Sequence, residues 1–327
     1  MATDRFTDQM QAYGNWRKEL IKAVTKYQRW LEVNKMSTPE AELRIFEMIE
    51  TLKSDRLTIA FVAEFARGKT ELINAIFFSE YDRRLLPSEA GRTTMCPTEL
   101  FFDSEANQSY IRLLPIETRL EDMSIQEHKK EPINWTTIQL DTNSAETMAE
   151  AFKEVVKTKR VPAPVAAKLG LASPDSANAA EMIEIPMWRH ALISFPHPLL
   201  KEGLTILDTP GLNALGNEPE LTINMLPAAQ AVIFVLAADT GVTKSDLEMW
   251  NSFVKPLGTD NKHSRIVVLN KVDTLWDELK SEDAVRSSVH NQCKSVAKMM
   301  ELKADSIFPD SAQKGLLAKI RTDQELI

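Results

Sequence analysis

The stretch LTIAFVAEFARGKT, residues 57–70, decides the fold class of this 327-residue chain. Its first half is a short apolar run, which is typical of a strand buried on both faces of a sheet. From Lys69 to Phe78, apolar residues return at three- and four-residue spacing, which indicates a helix. A buried strand, a loop and a helix in this order predict one repeating unit of an α/β fold.

Three later runs have the same buried-strand character: LTIL (204–207), AVIFVLAA (231–238) and RIVVLN (265–270). Amphipathic patterns lie between them. One predicted helix follows Ser281, and we place the start of another at Ser245, because Glu248 follows at the spacing of a capping box. The alternation predicts an α/β fold with a mostly parallel sheet flanked by helices.

Residues 63–70, AEFARGKT, match the second half of the phosphate-loop pattern G-x-x-x-x-G-K-[ST]. A tight loop at a helix N-terminus points backbone N–H groups at an anion, so we expect this loop to bind nucleotide phosphates. Lys69 would reach the β- and γ-phosphates, and the Thr70 hydroxyl would bind Mg²⁺. The predicted phosphate-binding residues are Glu64, Phe65, Ala66, Arg67, Gly68, Lys69 and Thr70.

The first position of this pattern holds Ala63 instead of glycine. If that residue needs a positive φ, alanine costs about 1 kcal/mol relative to glycine. We therefore expect phosphate binding to be weakened here but not lost.

A second loop motif, Asp208-Thr209-Pro210-Gly211, directly follows the strand LTIL. In P-loop GTPases the aspartate of such a loop holds Mg²⁺ and the glycine N–H contacts the γ-phosphate. The same four residues also suit an ordinary turn after a strand. Asp208 and Gly211 become nucleotide-binding candidates through their combination with the other motifs.

The base-specific motif is Asn270-Lys271-Val272-Asp273, which follows the strand RIVVL. A carboxylate accepts two hydrogen bonds from guanine but is left unpaired by adenine, a difference of roughly 10⁴-fold or more. We expect Asp273 to bind the guanine edge, Asn270 to brace the loops and the Lys271 stem to lie along the base. After the predicted last strand, SIFPD, the residues Ser311, Ala312 and Gln313 resemble a loop that supports guanine through backbone N–H groups.

All four motifs follow predicted strands, so they are expected at one edge of the sheet, where ligands bind in open α/β folds. Their order and spacing predict a P-loop NTPase G domain that binds GTP or GDP together with Mg²⁺.

The segments around these motifs resemble bacterial dynamin-like proteins, which belong to the dynamin superfamily of large GTPases. That family reads G-E-F-S-x-G-K-S-T-L-I-N-A at the phosphate loop, where this chain reads AEFARGKTELINA. Leu86-Pro87, followed by Thr93-Thr94 and Pro97, is similar to the family's switch I. Residues 195–213 are similar to the family pattern F-P-x-P-L-L-x-x-G-L-x-I-x-D-T-P-G-L-N. The resemblance covers residues 56–320 with gaps.

The resemblance implies an enzyme that hydrolyses GTP, with Lys69 and Thr94 as its catalytic residues. By the same resemblance, Thr94 binds Mg²⁺ together with Thr70 and Asp208 and positions the attacking water, and Thr93 is the alternative.

The family's loop serine corresponds to Ala66, which has no hydroxyl. We therefore expect weak hydrolysis unless Arg67 or Arg92 supplies a compensating positive charge. The main alternative is a regulatory module that binds GTP and hardly cleaves it. A small Ras-like or translation-type GTPase is a third hypothesis, against which the N-terminal helices and the large insertion argue.

The chain is expected to contain three parts. Residues 1–55 form a helical segment, residues 56–320 form a dynamin-type GTPase domain, and residues 321–327 begin a truncated helix. Inside the GTPase domain, residues 104–185 interrupt the strand–helix rhythm, and we interpret them as an insertion, part helix and part surface loop.

The amino-acid composition limits the kinds of partner that this chain can bind. With 39 Lys and Arg against 47 Asp and Glu, the net charge of −8 disfavours nucleic acid and unaided binding to anionic membranes. The N-terminus lacks a signal peptide, and the longest apolar stretch is too short to span a bilayer, so we expect a cytoplasmic protein. The resemblance implies self-association through the G domain. It also implies a position at the inner face of a membrane, contacted only through segments absent from this chain.

Overall fold

The computed structural model describes residues 2–54, 56–87, 96–172, 181–209, 225–258, 264–276 and 281–321. In these ranges a nine-stranded sheet forms the centre of the fold. Its strands, from one edge to the other, are β11 (Ile307–Pro309), β10 (Ser264–Asn270), β9 (Ala231–Ala237), β1 (Leu57–Ala63), β8 (Leu204–Asp208), β2 (Thr98–Phe101), β7 (Trp188–Ser194), β3 (Tyr110–Pro115) and β4 (Thr136–Gln139).

Five of the eight strand pairs in this sheet are parallel, and the parallel block β11-β10-β9-β1-β8 contains every strand predicted from the sequence. The predicted α/β fold with a mostly parallel sheet is therefore confirmed. In a parallel block all the carboxyl ends of the strands lie at one edge, which brings the loops after β1, β8, β9, β10 and β11 together.

Strand β1 is buried on both faces, as its apolar run predicted. Phe61 and Ala63 face a core that includes Ile73 and Phe77 of α3 (Lys69–Phe77), while Ala60 and Val62 belong to the opposite core. The first core also contains residues of α5 (Ala145–Val155) and α10 (Ala312–Arg321). The second contains residues of α8 (Lys244–Met249), of the π-helical turn Trp250–Val254 that continues it, and of α9 (Glu282–Met300).

The start of α8 differs from the sequence-based expectation. The capping residue is Thr243, whose hydroxyl accepts the backbone N–H of Asp246, while the Asp246 carboxylate accepts the backbone N–H of Thr243. The capping box predicted at Ser245 and Glu248 is therefore wrong by two residues. The pattern T-x-x-D satisfies the same two N–H groups, and its acidic side chain is short enough to be buried against the sheet.

The segment predicted as an insertion, residues 104–185, contributes two strands to the main sheet. Strand β3 pairs with β7 and β4, both antiparallel. The segment also contains the short helices α4 (Ile125–His128) and α6 (Ala163–Lys168) and a separate ribbon of β5 (Thr158–Pro162) with β6 (Met182–Pro186). The longest helical part of this segment is α5, which ends at Val155 because the chain enters β5 three residues later. A further short helix, α7 (Pro198–Lys201), precedes β8. The division of the chain into domains stays a prediction.

The N-terminal helical segment is present as α1 (Ala2–Val33) and α2 (Pro39–Ser54). The two helices pack on each other through Leu31, Ile45 and Ile49. Aromatic residues of α1, such as Trp16 and Tyr27, are exposed. None of the helices in the described ranges has both the length and the apolar character needed to cross a membrane.

Candidate nucleotide site

The phosphate loop runs from the end of β1 to the first turn of α3. Gly68 caps the helix in the left-handed conformation, with φ of 83°, and Ala66 is also left-handed, with φ of 60°. Ala63 has no positive φ, because it is the last, fully buried residue of β1. The penalty considered for Ala63 therefore does not arise, and the strained alanine of this loop is Ala66.

Lys69 and Asp208 form a buried ion pair at the carboxyl edge of the sheet. The ammonium Nζ lies 2.5 Å from the carboxylate Oδ1, and both side chains are less than a tenth exposed. Asp208 ends β8, and Thr98 of β2 lies opposite it in the antiparallel register. The next residue, Thr209, donates its hydroxyl to the Phe61 carbonyl at 2.8 Å, which fixes the end of β8 against β1. Lys69 and Asp208, predicted from two separate motifs, are thus brought into contact.

The side chain of Asn270 joins three loops. Its amide Nδ2 donates to the Arg67 carbonyl at 3.0 Å, and its Oδ1 accepts the Lys271 N–H at 2.8 Å and the Ala312 N–H at 3.0 Å. Asn270 is almost fully buried at the end of β10. These hydrogen bonds brace the loops after β1, β10 and β11 against one another, as the sequence led us to expect for Asn270. They also show that the Ala312 N–H, expected near guanine, is engaged with Asn270.

The loop after β10 orients the predicted base-binding residues. Lys271 is left-handed, with φ of 61°, and its ammonium lies 2.9 Å from the Asp239 carboxylate. Ser311 donates its hydroxyl to Asp273 Oδ1 at 2.5 Å, so the loop after β11 holds the carboxylate of the loop after β10. Gln313, which follows in α10, is exposed.

One further carboxyl lies beside this loop. Burial raises the pKa of the Asp310 carboxyl, and the nearby charge of Asp273 raises it as well. The backbone of Asp310 bonds to β10 and to Val272, so its position is set by the same strand end.

Arg67 points away from the phosphate loop. Its guanidinium donates to both carboxylate oxygens of Asp246, at 3.2 and 2.9 Å, and to the hydroxyls of Thr240 and Thr243. The interpretation of Arg67 as a positive charge that compensates for the missing hydroxyl of Ala66 is therefore wrong. Its guanidinium is hydrogen-bonded to residues at the start of α8 instead. The Arg67 backbone remains part of the loop.

Several predicted residues lie outside the described ranges. These are Arg92, Thr93 and Thr94 in residues 88–95 and Gly211 in residues 210–224. The segment 88–95 is followed by Cys96 and β2, and β2 pairs with β8 beside Asp208.

The loop between β9 and α8 was not predicted from the sequence to contribute to the site. Asp239, Thr240, Thr243 and Asp246 bond to the phosphate loop and to the loop after β10, although they match no nucleotide motif. The T-x-x-D pattern at 243–246 was the available signal. It predicts a helix start, but not that the same aspartate binds an arginine of another loop.

Comparison with known proteins decides the family. The sequence profile of the Dynamin family matches residues 59–272, a stretch that contains the phosphate loop, the Asp208 motif and the first three residues of the base-specific motif. The chain belongs to the dynamin family. It therefore contains a dynamin-family GTPase domain, and guanine nucleotide is the ligand that this family implies.

Two curated relatives match parts of this dynamin-family chain. A probable transmembrane GTPase, FZO-like and chloroplastic, from Arabidopsis thaliana is 31% identical over 128 residues, which are 39% of this chain and 13% of that protein. The isoniazid-induced protein IniA of Mycobacterium tuberculosis is 43% identical over 60 residues, 18% of this chain and 9% of the relative. The matched segments are small fractions of both relatives.

Solved structures of bacterial dynamins are similar at low sequence identity. One, described as an oligomerised bacterial dynamin pair for long-range sensing and tethering of membranes, is 16% identical with a TM-score of 0.48, covering 92% of this chain and 40% of that one. Another, described as LeoA, a bacterial dynamin GTPase from ETEC, is 14% identical with a TM-score of 0.44, covering 97% and 42%. The family assignment rests on the sequence match at 59–272.

We predict that Gly68→Ala weakens both folding and nucleotide binding. A Cβ at this position would lie 2.3 Å from Asn270 Nδ2, and φ of 83° is strained for alanine. We expect a stability loss of roughly 1–2 kcal/mol or more from the strain and the displaced hydrogen bonds, with at least a tenfold rise in the Kd for GDP. Thermal denaturation and titration with fluorescent GDP measure the two effects.

Gly203→Ala is the matched control. Gly203 also has a positive φ, of 97°, but apart from its own chain neighbours no residue comes within 4 Å of the added Cβ. This variant is expected to lose stability from backbone strain alone and to keep its nucleotide affinity. Equal affinities in the two variants would contradict the role assigned to the Gly68–Asn270 contact.

Proposed function

We propose that this chain binds GTP through the loops around Asn270 and hydrolyses it to GDP and phosphate with Mg²⁺. The observation that supports this most directly is the Asn270 side chain, which connects the phosphate loop to the loop that carries Asp273. A nucleotide needs its phosphate and base sites at a fixed separation, and one shared buried side chain fixes it.

Lys69 is the proposed phosphate-binding cation and one of the two catalytic residues. Its ammonium lies on Asp208, so a phosphate bound there would compete with this carboxylate. Thr94, outside the described ranges, is the second proposed catalytic residue, by family resemblance. The other proposed phosphate contacts are the loop 64–70 and Gly211.

The donors beside the phosphate loop fit Mg²⁺. Asp208 supplies a carboxylate and Thr70 a hydroxyl in the first turn of α3, and Thr94 is the third proposed ligand. Within the described ranges no cluster of three or more His, Cys, Asp or Glu side chains could hold a metal by itself. Mg²⁺ is usually bound by one or two carboxylates together with substrate phosphates and water, and here Asp208 would be the one carboxylate. When bound, the ion neutralises charge on the β- and γ-phosphates.

Guanine selection is assigned to the loops after β10 and β11. Asp273 is proposed to accept two hydrogen bonds from the base, while Ser311 holds its carboxylate in place. The stem of Lys271, fixed by Asp239, would lie along the base, with Ala312 and Gln313 completing the pocket.

Hydrolysis is tested by multiple-turnover phosphate release with saturating GTP and Mg²⁺, compared with Lys69→Ala. We expect the wild-type rate to exceed the variant's by at least tenfold, since the variant lacks the cation that contacts the transferred phosphoryl group. A wild-type rate equal to that of Lys69→Ala would exclude the enzyme hypothesis.

The alternative, a GTP-binding regulatory module with little hydrolysis, is favoured by one observation. Ala66 presents only a methyl group in the loop, and the neighbouring Arg67 is bound to Asp246 and supplies no charge there. Under this alternative the chain binds GTP with the specificity given above, but the rate stays at the Lys69→Ala level.

Base recognition is tested with Asp273→Asn. The amide offers a donor where guanine needs an acceptor, so we expect GTP affinity to fall by at least 100-fold and xanthosine triphosphate to become the preferred ligand. Competition titrations against both nucleotides measure the change. Unchanged GTP affinity would show that Asp273 does not contact the base.

Family membership supports two further proposals. We expect two G domains to associate when nucleotide is bound, and we propose that the whole protein works in the cytoplasm at the inner face of a membrane that it remodels. Light scattering of the chain with GDP and with a non-hydrolysable GTP analogue checks the first, with a dimer expected in at least one state. A monomer in every nucleotide state would contradict it.

A further inference from the structure

We propose that Arg67 is a positioning residue, which sets the phosphate loop in its binding conformation by anchoring it to the start of α8. This inference rests on the proposed function, since it concerns the same nucleotide site. The anchor consists of Arg67 and its three partners Thr240, Thr243 and Asp246, and we call it the Arg67 clasp.

The clasp uses the whole guanidinium. Nε and Nη2 donate to the two carboxylate oxygens of Asp246, Nη1 donates to the Thr240 hydroxyl at 2.8 Å, and Nη2 also donates to the Thr243 hydroxyl at 3.2 Å. Arg67 is 7% exposed and Asp246 is fully buried. A planar fork bound in this way fixes orientation as well as position, which a lysine ammonium does not do.

The loop around Arg67 needs such an anchor. The residues on both sides, Ala66 and Gly68, are left-handed, and the alanine is strained in that conformation. The Arg67 carbonyl is held separately, by the Asn270 amide. Arg67 is therefore fixed at two points, by its side chain to α8 and by its backbone to the loop after β10, and these contacts oppose relaxation of the strained alanine.

The direction of the side chain separates positioning from catalysis. The guanidinium is turned toward the start of α8 and is bonded there through all three of its nitrogens, so we do not assign it to the charge that develops during phosphoryl transfer. Loss of the clasp should weaken all contacts of the loop with phosphate, and thus affect GDP and GTP alike. A charge that stabilised the transition state would instead alter the rate at saturation and leave GDP binding unchanged.

Two variants test the clasp. Arg67→Lys keeps the charge that pairs with Asp246 but cannot make the fork. The double variant Arg67→Gln with Asp246→Asn removes both charges together, so neither partner is left as a buried unpaired ion. The asparagine oxygen can still accept the Thr243 N–H in the capping box of α8. Circular dichroism shows whether each variant is folded. If the lysine variant folds poorly, the double variant still tests the clasp.

Arg84→Lys is the matched control. Arg84 makes a similar fork with Glu71 in the first turn of α3, but the arginine is half exposed, so water screens the pair. The variant is expected to bind nucleotide like the wild type.

The measurement is the Kd of fluorescent GDP and of a fluorescent non-hydrolysable GTP analogue, together with kcat and KM for GTP. For both clasp variants we expect at least a tenfold rise in both Kd values, equal within about twofold, with kcat changed less than threefold. Unchanged Kd values would overturn the positioning role. A 100-fold lower kcat with normal GDP affinity would also overturn it, in favour of catalysis.

The wild-type chain separates this inference from the proposed function. If wild type binds neither nucleotide, the proposed function fails, and the inference with it. If wild type binds GDP and GTP but the clasp variants bind them equally well, only the positioning role fails.

Discussion

The carboxamide of Asn270 is the interaction on which the candidate site depends. It is buried at the end of a central parallel strand, and its oxygen and nitrogen are satisfied by the backbones of three different loops. A buried amide left without partners is costly, so the loops after β1, β10 and β11 cannot separate without exposing or orphaning it. Gly68 lies so close to this amide that only a residue without Cβ fits. One side chain therefore links the geometry of the phosphate loop to that of the base loop.

The sheet makes this arrangement possible. Parallel strands that share one carboxyl edge bring motifs far apart in sequence into contact, as the 2.5 Å pair of Lys69 and Asp208 shows. Strand β2 runs antiparallel to β8, so its first residue, Thr98, lies at the same edge, opposite Asp208. Two kinds of chain segment therefore meet at this edge: the loops that follow parallel strands, and the start of the antiparallel strand β2.

The loop between β9 and α8 makes contacts with the candidate site that the nucleotide motifs do not predict. Asp239 holds Lys271, while Thr240 and Asp246 hold Arg67, so this loop contacts both the base side and the phosphate side. Asp246 serves two purposes at once, because its carboxylate completes the capping box with Thr243 and also accepts the Arg67 guanidinium. A shift of α8 would consequently displace Arg67 and the phosphate loop. The packing of α8 can therefore affect the candidate nucleotide site.

The sequence by itself determined the parallel block, and its motifs predicted the residues of the candidate site. The apolar runs before Glu64, Asp208 and Asn270 were recognisable because strands buried on both faces are continuous apolar runs. The last strand, β11, is exposed beyond Ile307 and was recognised by its place directly before Ser311. The sequence did not reveal β2, β3, β4 and β7. Strands β2 and β4 are only four residues long, and β3 and β7 are interrupted by polar residues. Their pairing with distant partners, rather than their local pattern, makes them strands.

Only the tertiary structure decided the direction of Arg67, the left-handed alanine at position 66 and the role of the loop after β9. An arginine beside a phosphate loop suggests a charge for the phosphates, yet a fully buried carboxylate 179 positions later binds it. Local sequence specifies which groups can form hydrogen bonds. Which partner each group obtains depends on the strand order and on which side chains are buried together, and that information is not local.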